Sequence, residues 1–241
     1  YMRDVFGWPY PQHESYYMMV AGEGSSVFLG LREDVDVDAF HGEAVDADHH
    51  GHAFDITRHV QTFPAVRHQL YLVPVGTPHG SGIGNVVLEV SATPYLYSLR
   101  FYDWLRRDTR GGQRPVHVDH AFQNLDRRRR GDRVADDLVP APRTARSGHG
   151  WREEVLGDLP EMFFDIRRLE LDPDGLIHDT TAGRFHVLNV VEGSGISIGT
   201  GDGVEVELAY AETVVVPAAV GPYTVRALGS ERVLVVKAHV R

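Results

Sequence analysis

Between two apolar runs, Leu70-Tyr71-Leu72-Val73 and Val86-Val87-Leu88-Glu89-Val90, the chain carries Pro74-Val75-Gly76-Thr77-Pro78-His79. Proline and glycine so close together fix the backbone of a tight turn, and the stretch reads as a hairpin of strand, turn and strand. A histidine delivered by such a turn is held in place before any ligand arrives, which is what a divalent metal needs. A surface turn histidine is the alternative reading of the same residues. Glu14 precedes a second apolar run, Tyr16-Tyr17-Met18-Met19-Val20, and is either a ligand at a barrel mouth or an exposed strand-end charge. A rival metal site lies at His41, His49, His50 and His52, which stand among Glu43, Asp46, Asp48 and Asp55. Gly42, Gly51 and the polar flanks of that tract predict a mobile surface insertion.

The elements that must hold these groups follow from the pattern around them. Tyr1–Pro11 reads as a connecting segment, and the strand ending at Val20 is predicted to form a hairpin with Ser25–Leu31. Glu33–Phe40 looks like the capped start of a short helix, and Phe54–Val60 like a short helix or turn. Asp108–Gln113 is a polar loop. His117 and His120 fall near a pocket rim, where packing is the simpler role for each. Four consecutive arginines, Arg127–Arg130, followed by a stretch rich in Pro and Arg, predict a solvated linker over residues 126–150. Strands return at Phe163–Leu171, Gly183–Val191, Gly195–Ile198, Glu205–Leu208, Thr213–Pro217, Tyr223–Ala227 and Val233–His239. Their spacing echoes the first half, with Pro222 and Tyr223 where His79 stood.

Composition narrows the function. The 241 residues suffice for one large or two small domains, and 42% of them are hydrophobic. A formal charge of −10 argues against a nucleic-acid partner. No apolar run approaches membrane-spanning length, so no membrane partner is expected. Cysteine is absent, which excludes disulfides and thiolate chemistry and fits a cytoplasmic setting. Lys237 is the one lysine, so any mechanism that needs a side-chain amine must use it.

The motifs together form a longer signature. Pro-x-Gly-x-x-His at residues 74–79, then Asn85, Glu89, Arg100 and the block Phe101-Tyr102-Asp103-Trp104-Leu105-Arg106, then Arg114-Pro115-Val116-His117, resembles the class I (cupin-type) mannose-6-phosphate isomerases over nearly the whole chain. The resemblance implies a mainly β fold of two cupin (jelly-roll) barrels with a short helical or loop insertion. It divides the chain into a metal-binding cupin domain at residues 1–125, a linker at 126–150 and a second, metal-free cupin domain at 151–241. It implies Glu14 and His79 as ligands of Zn²⁺, with other divalent transition metals tolerated, and Gln12 and Arg100 as substrate-binding groups. Gln12 stands where family members usually place a lysine, which leaves Glu89 as the first candidate base, ahead of a metal-bound water, with Arg100 stabilising charge. Asp103, Trp104 and Arg106 read as scaffold. The family's remaining ligands, a Gln-x-His pair, would fall upstream of Tyr1, so the sequence is expected to be part of a longer protein. The implied activity is metal-dependent interconversion of mannose 6-phosphate and fructose 6-phosphate, or of a related sugar phosphate. The alternatives are an isomerase-like cupin acting on another sugar and a non-catalytic sugar-binding or regulatory cupin; the oligomeric state is left open.

Overall fold

Short runs of apolar residues, buried at most positions of β1, β2 and β4, build the first unit, Tyr1–Val139, in a computed structural model that describes residues 1–92 and 98–241. Its elements are α1 (Met2–Phe6), β1 (Glu14–Val20), β2 (Ser26–Leu31), α2 (Val37–His50), β3 (Val60–Pro64), β4 (Leu70–Val73), β5 (His79–Ser81), β6 (Val86–Ser91), α3 (Val118–Gln123) and α4 (Asp132–Leu138). The strands form two three-stranded antiparallel sheets, ordered β4-β1-β6 and β3-β2-β5.

Neither hairpin expected in this half forms. β1 takes β4 on one side and β6 on the other, with Glu14 opposite both Val73 and Ser91, while β2 lies in the other sheet. The turn after β4 carries the chain across to β5, which pairs with β2 by placing His79 opposite Leu29. Tyr17, Met18 and Met19 are buried in succession, the mark of a central strand covered on both faces. Gly76 makes the crossing possible. It has φ +79°, and a Cβ there would lie 2.7 Å from the Asn124 carbonyl oxygen.

The histidine-rich tract is a helix rather than a mobile insertion. The Asp36 carboxylate caps α2 by accepting from the backbone N–H groups of Asp38 and Ala39 at 3.0 Å. Phe40, Ala44 and Ala47 form its buried stripe at helical spacing. The predicted linker is also folded. Val134 and Leu138, one turn apart on α4, are fully buried, and the chain before them hydrogen-bonds to Gly76 and Leu31. Its arginines masked this, because they are partly paired locally, as Arg128 is with Asp126 at 2.8 Å. The unit boundary falls inside the stretch, and residues after it enter the second unit as β7 (Arg143–Gly148).

The second unit, Pro140–Arg241, continues with β8 (Trp151–Gly157), β9 (Phe164–Leu171), β10 (Leu176–Thr180), β11 (His186–Glu192), β12 (Gly195–Thr200), β13 (Glu205–Ala209), β14 (Thr213–Val216), β15 (Pro222–Leu228) and β16 (Val233–Val240). A six-stranded sheet, β14-β11-β16-β9-β8-β7, and a four-stranded sheet, β10-β15-β12-β13, share a core that includes Leu169, Leu171, Ile177, Leu188, Val190, Val225, Val233 and Val235. The faces that supply this core end in charge. On β16 the series Val233, Val235 continues to Lys237; on β10, Ile177 continues to Asp179; on β15, Val225 leads back to Tyr223.

Lys237 is 3% exposed and donates to Glu153 and Asp179 at 2.7 Å each. Arg146 pairs with the same two carboxylates, and the Tyr223 hydroxyl donates to Asp179 at 3.2 Å while lying 2.7 Å from His186 Nδ1. Burial alone would raise both carboxyls, but the charge and hydrogen bond of Lys237 hold them below the usual range. Burial, then the charge of Lys237, pushes His186 down to about 4. Tyr223, set against His79 by the sequence pattern, thus points into an ion-paired cluster. Replacing Lys237 by Met leaves two buried carboxylates short of a cation and should destabilise this unit by about 3–5 kcal/mol in denaturant melts. His186 binds a proton more readily unfolded than folded, so the melting temperature should fall as pH drops from about 6.5 towards 4 and stay level above that window, aside from other groups.

Candidate functional site

Period-two geometry at the start of β1 brings three polar side chains to one side. Ser15 and Tyr17 are fully buried, while Gln12, Glu14 and Tyr16 line a cavity of about 360 Å³ in the first unit. That volume suits a small metabolite. The turn before β5 brings His79 to the same cavity, β6 brings Glu89, and the segment after it brings Arg100, Trp104 and Arg106. All five residues named from the sequence, Gln12, Glu14, His79, Glu89 and Arg100, therefore face one space.

His79 Nε2 and Glu14 Oε2 lie 3.2 Å apart. The imidazole is oriented from behind, its Nδ1 lying 2.9 Å from the Thr77 carbonyl oxygen. The other oxygen of Glu14 accepts from the Gln12 side-chain amide at 2.5 Å. Gln12 was expected to contact substrate, yet its nitrogen is engaged on Glu14, so what it visibly does is aim a carboxylate. His13 turns away, buried, its Nδ1 accepting from the Val75 N–H at 3.3 Å. Asn85 is a brace: its oxygen accepts from the Gly22 N–H at 2.9 Å and its nitrogen donates to the Ser26 carbonyl at 3.1 Å.

A divalent ion is implied by the resemblance, and the donor set can be compared with one. Two N/O donors each about 2.1 Å from a single ion, at tetrahedral or cis-octahedral angles, lie roughly 3–3.4 Å apart. Glu14 and His79 fit that spacing, and the tie from Nδ1 to a backbone carbonyl is the usual outer support of a ligating histidine. They fit two neighbouring positions only, because no group of three or more His, Cys, Asp or Glu able to hold a metal occurs among the described residues. The tract on α2 meets the same test no better. His50 and His52 each turn Nδ1 to Asp46 at 2.8 Å, and His41 pairs with Asp119 on α3 at 3.0 Å.

The electrostatics centre on two carboxylates. Burial would lower His79, but the hydrogen bond and charge of Glu14 outweigh it and raise the imidazole above its ordinary value. Burial first, then the charge of Glu14, raises Glu89. Burial also raises the Tyr16 phenol, with Glu14 and Glu89 adding to it. Tyr16 is the residue that sequence reading missed, although its place two residues after Glu14 was the available signal. Asp103 is scaffold, pairing with Arg106 and, at 3.2 Å, with Arg114; Trp104 and Arg106 line the cavity as well. His120 lies by the Tyr1 hydroxyl and the Phe6 ring.

The sheets of the two units make a mainly β fold of the cupin, jelly-roll type. Among solved structures, the chain is similar to the mannose 6-phosphate isomerase of Bacillus subtilis, with a TM-score of 0.74 and 18% identity over 98% of this chain and 67% of that one. A variant of the phosphomannose isomerase of Salmonella typhimurium gives a TM-score of 0.64 and 12% identity over 95% and 66% of the two chains. The chain thus spans about two-thirds of the length of these proteins, and the likeness is one of fold. No protein-family model matches the sequence, and no curated protein matches it. No helix among the described residues is long and apolar enough to cross a membrane.

Two substitutions test the geometry by calorimetric titration of full-length protein with Zn²⁺. His79→Ala should abolish binding at this site. Gln12→Ala, which frees one Glu14 oxygen from its amide, should weaken it about 10–100-fold.

Proposed function

We propose that this chain is the metal-binding and substrate-binding part of an aldose–ketose isomerase acting on a sugar phosphate, with mannose 6-phosphate and fructose 6-phosphate as its pair. The observation that carries the reading is the Glu14–His79 pair, backed by Gln12 and the Thr77 carbonyl, in one cavity with Glu89 and Arg100. The fold shared with two such isomerases supports it. In this reading Glu14 and His79 hold a zinc-class ion, which when bound polarises the substrate's carbonyl and hydroxyl oxygens and eases loss of the proton on the adjacent carbon. Glu89 takes that proton from C2 and returns it to C1. Its raised pKa brings the carboxylate nearer to working pH, where a base is most effective. Arg100 supplies a fixed positive charge for the phosphate or for the developing enediolate.

A second reading draws on Gln12. The position where the resembling family usually carries a lysine here holds a neutral amide engaged on Glu14, so one cation that would read substrate charge is missing. An isomerase of the same chemistry acting on a different sugar fits that change.

The deciding assay uses full-length protein. Interconversion of mannose 6-phosphate and fructose 6-phosphate that EDTA abolishes and Zn²⁺ restores is the expected result; turnover of other sugars alone selects the second reading. Glu89→Gln should lower kcat by at least about 10²-fold while leaving Zn²⁺ stoichiometry unchanged. The acid limb of the kcat/KM profile should fall as pH drops through the Glu89 pKa and should be absent in Glu89→Gln.

A further inference from the structure

We propose that the Tyr16 hydroxyl is the neutral hydrogen-bond donor to the substrate oxygen that gains charge between the two sugar isomers, an assignment that rests on the isomerase reading of this cavity. Three observations place it there. Tyr16 stands two residues after Glu14 on β1 and directly opposite Glu89 on β6, so the phenol, the ligand carboxylate and the base project from adjoining positions of one sheet face. Its ring meets His79 edge to face, with centroids 5.5 Å apart and planes at 69°. That contact packs the phenol ring against the imidazole.

The third observation is the hydroxyl's bonding. Buried phenols usually find a partner, and the three most deeply buried among the described residues do: Tyr17 lies 2.9 Å from His68 Nδ1, Tyr71 donates to the Pro64 carbonyl at 2.9 Å and Tyr223 donates to Asp179. Tyr16 lines the cavity, and its hydroxyl has no hydrogen-bond partner among the described residues. A polar group held in place and left unpaired at a cavity wall is available to a ligand.

The chemistry calls for such a group. Removing the C2 proton leaves negative charge on a sugar oxygen beside two carboxylates, Glu14 and Glu89. No lysine can relieve it, because the chain's only one is committed to Glu153 and Asp179. A phenol donates one hydrogen bond, most strongly when that oxygen is most negative, without adding charge to the metal side. The atoms balance without any transfer from Tyr16: the C2 proton passes to Glu89 and back to C1, the O2 proton passes to O1, and the phenolic O–H bond stays intact.

The test is Tyr16→Phe in full-length, Zn²⁺-loaded protein. The expected result is a kcat about 10–10²-fold lower, with KM within about threefold and unchanged metal content and melting temperature. Exchange of the C2 proton with solvent should fall by the same factor. If the Phe variant loses metal or melts early, Tyr16→Gln supplies the comparison: a donor at that position should recover part of the rate lost in Phe. An unaltered kcat in Tyr16→Phe, or a rise in KM alone, overturns the assignment and leaves the isomerase reading standing. Absence of any sugar-phosphate turnover or C2 exchange in the unaltered protein overturns both.

Discussion

The first unit turns on a single carboxylate. Glu14 opens the central strand of its sheet, with one oxygen on the Gln12 amide and the other facing His79. A partly enclosed carboxylate needs compensation from hydrogen bonds or an opposite charge, and the surrounding structure supplies both. The positive-φ turn at Gly76 crosses from one sheet to the other so that His79 arrives against Glu14. The Thr77 carbonyl fixes the imidazole, and the segment before α4 closes over the turn through Asn124 and Asp126. Removing the carboxylate would deprive the turn, the amide and the imidazole of a common partner.

The second unit meets a related electrostatic demand differently. Its strands also run from an apolar core to a polar end, but there Glu153 and Asp179 are neutralised from within by Lys237 and Arg146. The first unit leaves its carboxylates beside open space, and the second fills the interior with its own cations. Open space admits a ligand, whereas internal ion pairs fix structure. The same strand pattern can therefore hold a reactive site in one copy and a closed, rigid interior in the other.

Much of this was legible in the residues. Glu14, His79, Glu89, Arg100 and Gln12, spread over 89 positions of sequence, converge on one cavity because their motif order carries the fold. Strand partners were harder, since a turn between apolar runs looks the same whether the chain folds back or crosses to another sheet. The fate of residues 126–150 was hidden by charge: the buried Val134 and Leu138 are two apolar positions in an arginine-rich stretch whose charges are partly paired with nearby carboxylates. Tyr16 escaped notice because an aromatic residue in an apolar strand signals packing, which outweighed its place two residues after Glu14; the register opposite Glu89 puts it beside the candidate base.

The burial of Lys237 also governs the molecule's reactivity. With 3% of its surface exposed and its ammonium held by two carboxylates, the sole lysine is shielded from acylating agents, aldehydes and enzymes that conjugate to side-chain amines. The folded second unit presents no free lysine amine at all. Labelling of Lys237 would therefore report opening of that unit, a built-in chemical clock for its local unfolding.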